Sequence, residues 1–181
     1  MLRETKLSRQ RTAKSFTLVS EEEISMTGHL LEDGQLDRLL REAAQARLRA
    51  YAPYSMFQVG AALLDEGGHV HYGCNVENAA YGPTNCAERT ALFRAIADGK
   101  PKGSFRAIAV IGDTDEPITP CGVCRQVLAE LCTPDMPVVM GNIKGDRHVM
   151  TVAELLPGAF SLQAGKERKE NDGVTDENSR K

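Results

Sequence analysis

The sequence predicts an α/β fold, a three-layer α/β/α sandwich built on a mixed five-stranded sheet. Three observations carry that expectation. Strand-like and helix-period segments alternate in the order β-β-α-β-α-β-β behind a leading helix. The stretch "FRAIAVIGD" is almost unbroken in its apolar character, as a strand covered on both faces requires. "FQVGAALLD" and "HVHYGCNV" meet through Gly67-Gly68, a hairpin signal, so antiparallel pairing is expected as well.

Each element has its own warrant. In "DGQLDRLLREAAQARLRA", Leu36, Leu39, Leu40, Ala43, Arg47 and Ala50 recur at helical spacing, and Pro53 marks the stop. The hairpin of "FQVGAALLD" and "HVHYGCNV" follows. "CAERTALFRAIADG" reads as a helix closed by Gly99. After "FRAIAVIGD", "PCGVCRQVLAELC" reads as a second buried helix with Pro120 at its start. "PVVMGN" and "KGDRHVMT" supply the last two strands, and "VAELLPGAF" closes the fold as a short helix running into Pro157.

Length and charge bound the function. With 181 residues, 41% of them hydrophobic, the chain suits one globular domain with a sizeable core. No apolar run approaches the roughly 20 residues that span a bilayer. The first stretch, "MLRETKLSRQRTAKSF", is basic and has no apolar segment, so it does not read as a secretory signal. Between a transit peptide and a solvated tail, its cues favour the tail. We expect residues 1–27 to be a flexible extension, 28–163 the folded domain and 164–181 a disordered charged tail. Residues 1–14 carry five basic side chains against one acid, and the last eighteen residues are balanced. Residues 15–163 therefore hold a net charge of −7. Such a domain is ill suited to gripping a phosphate backbone. Five cysteines, an odd number without an export signal, argue against a disulfide framework and for a cytoplasmic setting with metal or catalytic use.

Three of those cysteines form a pattern. Cys121 and Cys124 stand three apart at a helix start, so their sulfurs share a face. The positive end of the helix favours the thiolates that metal binding needs. A lone CxxC is ambiguous between zinc and redox use. Cys86 also opens a helix, and two helix mouths meeting would bring three thiolates to one ion. Candidates for a fourth ligand are Cys74, Cys132 and the histidines at 29, 69, 71 and 148. We expect Cys74 and Cys132 to be core residues and the histidines to be surface or strand residues. Three thiolates with one open position is then the better count, the arrangement of a catalytic rather than a structural zinc. Zn²⁺ with three thiolates carries a net negative charge, which Arg89 would offset by hydrogen bonding to sulfur. Glu88, two residues after Cys86, is placed to shuttle protons.

At these residues the chain resembles the small, homotetrameric, zinc-dependent cytidine deaminases. The matching segments are "YAPYSMFQVGAALL", "GCNVENAAYGPTNCAERTALF", "PCGVCRQVLAELC" and "TVAELLPGAF", in order through the predicted core. The resemblance implies Cys86, Cys121 and Cys124 as ligands of one Zn²⁺ per subunit and Glu88 as the catalytic proton shuttle. It implies Asn75 and Glu77 on the ribose hydroxyls, Phe57 on the pyrimidine ring and the Ala87 backbone at the base edge. It implies a homotetramer whose sites are completed by neighbours, with Tyr81 and Phe160 as the contributors. The implied reaction is hydrolytic deamination of cytidine and deoxycytidine to uridine and deoxyuridine, with ammonia released, in pyrimidine salvage. A blasticidin S deaminase-like enzyme shares the cysteine motifs, but the "NVEN" loop favours a nucleoside. A polynucleotide editor conflicts with the acidic domain, and a zinc-stapled interaction module would need a fourth ligand.

Overall fold

The computed structural model of the chain describes residues 31–162. The expected tails at 1–27 and 164–181, and His29, lie outside those residues. The described part runs α1 (Asp33–Arg47), β1 (Val59–Asp65), β2 (Val70–Cys74), α2 (Ala87–Ala97), β3 (Phe105–Gly112), α3 (Gly122–Leu131), β4 (Pro137–Asn142), β5 (Arg147–Thr151) and α4 (Val152–Leu155). The order is the one the sequence predicts.

One five-stranded sheet carries the order β2-β1-β3-β4-β5. β1 pairs antiparallel with β2 and β3, β3 runs parallel to β4, and β5 returns antiparallel to β4. The sheet is therefore mixed. Successive side chains of a strand face opposite sides, and the two central strands are apolar on both. Val59, Ala61 and Leu63 of β1, with Ile108 and Val110 of β3, join a core that includes Ala91 and Leu92 of α2 and Leu128 of α3. Ala62, Ala107, Ala109 and Ile111 point the other way, onto Leu36, Leu39 and Ala43 of α1. Those two cores make the three layers.

Glycines set how close the helices lie. A Cβ on Gly60 would come within 2.0 Å of the Ala43 carbonyl oxygen, and one on Gly73 within 2.1 Å of the Ala87 carbonyl oxygen. α1 thus rests on the backbone of β1, and α2 on that of β2. The second contact lies at the first turn of α2, where Cys86 and Glu88 sit. The C-terminus of α2 is closed by a left-handed Gly99 (φ 87), with the Lys100 amide bonded to Ala95 and the Gly99 amide to Ile96. That is the glycine stop expected from sequence.

Two expectations are corrected. α1 ends at Arg47, before Ala50 and well before Pro53. The chain is drawn to the sheet instead: the Tyr51 amide donates to Asn75 at 3.0 Å, and the Glu77 amide donates back to Tyr51 at 2.8 Å. Cys74 is half-buried at the edge of the sheet, and its thiol donates to the Arg49 carbonyl at 3.4 Å, so it is no core residue. Cys132 is buried, as expected, at 6% exposure. His69 and His148 are exposed; His71 is buried on its strand.

A charged cluster lies inside the hairpin. Asp65 is 1% exposed and pairs with Lys100 Nζ at 2.7 Å, His71 Nε2 at 3.1 Å and the His69 amide at 2.9 Å. Burial works against the Asp65 carboxylate, but Lys100 and the two histidine contacts together hold it well below the usual carboxylate range. The cluster ties the β1–β2 hairpin to the loop that follows α2.

Candidate active site and metal centre

Cys86 is the N-cap of α2 and Cys121 the N-cap of α3, each with extended backbone. Neither uses its side chain as a cap, so both sulfurs are free to face outward from the helix mouths. Cys124 lies in the first turn of α3 and is 0% exposed. The three sulfurs lie within 4.8 Å of one another, with Cys86 and Cys121 at 3.9 Å. Two sulfurs bound tetrahedrally about 2.3 Å from one ion stand roughly 3.8 Å apart, so the cluster fits Zn²⁺. Among the described residues no fourth His, Cys, Asp or Glu donor joins the group.

The electrostatics favour anionic sulfur. The Cys124 thiol donates to Cys86, and Arg89 and Cys121 add to that bond against the cost of burial, drawing Cys86 down to about 5. The same bond, and after it burial, hold the Cys124 thiol well above its ordinary range. Arg89 Nη2 donates to Cys86 Sγ at 3.6 Å and to the Thr84 carbonyl at 3.3 Å. Its Nε is buried and without a partner among the described residues. The Arg89 guanidinium thus meets a sulfur of the cysteine cluster.

Glu88 is 4% exposed in the first turn of α2. Burial, reinforced by the nearby Cys86 charge, raises its carboxyl to about 7, while its own backbone amide, a bond with Cys124 and the Arg89 charge oppose the rise. An acid that exchanges its proton near neutrality beside a cysteine cluster is suited to general acid–base work.

The other candidates surround this cluster. Ala87 is fully buried as the first residue of α2, and amides of a first turn have no partner within their helix. Phe57 is partly buried, with its ring tip against Gly112 and the core around Ile118. Asn75 holds the Phe57 carbonyl through Nδ2 and the Val59 amide through Oδ1, both at 2.8 Å. Glu77 accepts the Tyr54 amide at 2.9 Å and the Ser55 amide at 3.2 Å on Oε2, and the Ser55 hydroxyl on Oε1. Glu77 and Tyr81 line one hollow of about 270 Å³ with Tyr54, Ser55, Asn78 and Thr84. Tyr81 is 91% exposed and Phe160 68%. Phe160 belongs to a segment pinned by Gln126 of α3, whose amide pairs with both its N–H (3.2 Å) and its carbonyl (2.9 Å). The structure thus brings Cys86, Cys121, Cys124, Glu88 and Arg89 into one cluster, and Phe57, Asn75 and Glu77 into one network. Tyr81 stands beside Glu77, and Phe160 beside α3. Sequence reasoning missed Ser55 and Gln126, whose partners lie 22 and 34 residues away.

Comparison with known proteins agrees with this geometry. The family model described as the cytidine and deoxycytidylate deaminase zinc-binding region matches residues 33–140. The cytidine deaminase of Sporosarcina psychrophila is 57% identical over 128 residues, which is 71% of this chain and 93% of that protein. The probable cytidine deaminase of Dictyostelium discoideum is 42% identical over 132 residues, 71% of this chain and 86% of its own length. Among solved structures, the cytidine deaminase of Burkholderia pseudomallei superposes with a TM-score of 0.68 at 56% identity, covering 68% of this chain and 98% of that one. The Mycobacterium tuberculosis cytidine deaminase gives 0.61 at 37% identity, covering 73% and 100%. The chain belongs to the cytidine and deoxycytidylate deaminase family, of the zinc-binding kind.

Proposed function

We propose that this chain catalyses the hydrolytic deamination of cytidine and deoxycytidine to uridine and deoxyuridine, releasing ammonia, in pyrimidine salvage. The observation that carries the reading is Glu88, a buried acid raised to about 7, set against three convergent cysteines at two helix mouths. The names of the relatives support the substrate.

Cys86, Cys121 and Cys124 would hold the zinc, whose bound form supplies a Lewis acid that makes water nucleophilic near neutral pH. The remaining work falls to the chain. Glu88 takes a proton from the attacking water, places it on ring nitrogen 3, and then relays a proton to the departing amine. Its raised proton affinity suits both halves of that task. Arg89 draws negative charge from the sulfur of Cys86, and the two helix N-termini act in the same direction. The Ala87 amide region meets the base edge, and Phe57 packs on the pyrimidine ring. Asn75 and Glu77 receive the ribose hydroxyls.

The exposure of Tyr81 and Phe160, with Val123 at 58% and Phe93 at 46% on α3 and α2, fits a homotetramer in which neighbours complete each site. Large apolar side chains left uncovered on one protomer mark association surfaces. The acidic domain fits a small-molecule substrate rather than nucleic acid. Among the described residues no helix is long and apolar enough to cross a membrane. We place the enzyme in the cytoplasm on its cysteines, which stand as free thiols.

The test is metal content measured together with ammonia release from cytidine. We expect one zinc per chain and turnover. A protein that binds one zinc and leaves cytidine intact overturns the reading.

A further inference from the structure

We infer that Ser55 is a positioning residue that aims the Glu77 carboxylate at the sugar, with the left-handed backbone of Met56 as the device that fixes the aim. The inference rests on the reading of Glu77 as a ribose ligand and extends it to a residue that does not itself meet the substrate.

The Ser55 hydroxyl donates to Glu77 Oε1, while the Tyr54 and Ser55 amides donate to Oε2. A carboxylate accepts about four hydrogen bonds. Three positions are therefore taken, and one on Oε1 is left for a hydroxyl in the hollow shared with Tyr81. The Ser55 bond selects which position stays open. Without it Oε1 would be free to turn, since the two amides grip only Oε2.

The serine is itself held. Its Oγ accepts the Phe57 amide at 3.0 Å, so the oxygen is gripped from one side and its hydrogen is directed to Glu77. That bond spans Met56, whose backbone is left-handed. Met56 is the one described non-glycine residue with positive φ, at 57°. Its side chain is 79% exposed, so side-chain burial does not hold it there. That conformation is kept by hydrogen bonds, among them the Met56 amide to the Ala52 carbonyl at 3.1 Å. A left-handed methionine persists where its surroundings over-determine it, and such strain concentrates at functional sites. Asn75 closes the circuit by holding the Phe57 carbonyl at 2.8 Å. Glu77, Ser55, Phe57 and Asn75 form one continuous chain of hydrogen bonds. The groups assigned to sugar and base are thus mutually fixed, and Ser55 is the link between them.

The test is steady-state turnover of cytidine and of 2′,3′-dideoxycytidine, which lacks the sugar hydroxyls Glu77 would hold. In Ser55→Ala we expect KM for cytidine to rise about 10-fold with kcat little changed, the scale of one lost hydrogen bond to a charged group. KM for the dideoxy compound should move less than about 2-fold. Ser55→Thr should restore the cytidine value. In a Glu77→Gln background, Ser55→Ala should add nothing further. Met56→Val keeps the hydroxyl but disfavours positive φ, and should give the same cytidine-selective loss. Equal losses on both substrates, an unchanged cytidine KM, or full additivity with Glu77→Gln would overturn the role of Ser55. In those cases a wild type that still favours cytidine over its dideoxy analogue leaves Glu77 as the sugar ligand. A wild type that treats the two substrates alike removes the sugar role of Glu77, and this inference falls with it.

Discussion

Replacing Gly73 by alanine is the smallest change that should disturb the site from the strand beneath its helix. The added Cβ would stand 2.1 Å from the Ala87 carbonyl oxygen and 2.5 Å from the Ala91 amide nitrogen. Both atoms are helix backbone, so no side chain can swing aside. Reaching ordinary contact requires α2 to lift by about 1 Å, with Cys86 and Glu88 at its mouth carried along. Overpacking of this kind costs about 1–3 kcal/mol, and rigid backbone on both sides argues for the upper end. For a domain of this size that is a fall of roughly 10 °C in the thermal midpoint. A 1 Å misplacement of catalytic groups costs about 100-fold in rate. We therefore expect Gly73→Ala to lose both stability and kcat/KM, read by thermal unfolding and by cytidine turnover at a temperature where the variant is folded. Gly34→Ala is the control, because a Cβ there meets nothing within 4 Å. If Gly73→Ala melts and turns over like the wild type, α2 does not rest on β2 as described, and the link between the glycine and the site is wrong.

Two further changes probe charge. Lys100→Met leaves the buried Asp65 carboxylate without its ammonium partner and should cost about 3 kcal/mol at pH 7. Because the folded pKa of Asp65 is depressed, its stabilising contribution is present above the unfolded value near 3.9 and is lost as pH falls below it. The gap between wild type and Lys100→Met should therefore narrow in urea unfolding from pH 7 down towards pH 3; a gap that stays constant would contradict the pairing. Arg89→Gln removes the donor to Cys86 Sγ, so in metal-free protein the midpoint for alkylation of Cys86 should move up from about 5. An unchanged midpoint would mean that the guanidinium does nothing for the sulfur.

Much of the fold could be read from residue spacing because the sheet is covered on both faces. The nearly unbroken apolar runs of β1 and β3 leave few alternatives, and the helices between them are apolar on the faces they bury. The cysteine cluster is legible for a local reason as well. Cys121 and Cys124 share a helix turn, and Cys86 opens the other helix, so it remained only for the two mouths to meet. What stayed hidden is polar and distant in sequence. Asp65 and Lys100 are separated by a hairpin and a helix, and nothing local to either announces the pair. Ser55 sits in an ordinary-looking "YSMF", and its value comes from a positive φ at Met56 that composition does not suggest. Cys74 departs from the burial usual for a strand cysteine because β2 is an edge strand. The early end of α1 has a similar origin: backbone pairing between Tyr51 and the residues after β2 outweighs the helical pattern that continues to Ala50.

The division of labour between the cysteines and Glu88 is tested most directly by Glu88→Gln, with zinc content and cytidine turnover measured on the same preparation. The amide keeps the shape of the side chain but cannot carry the proton. We expect one zinc per chain and a loss of about 100-fold or more in kcat. A zinc-loaded Glu88→Gln enzyme that deaminates cytidine at close to the wild-type rate would contradict the assignment of Glu88 as the proton shuttle.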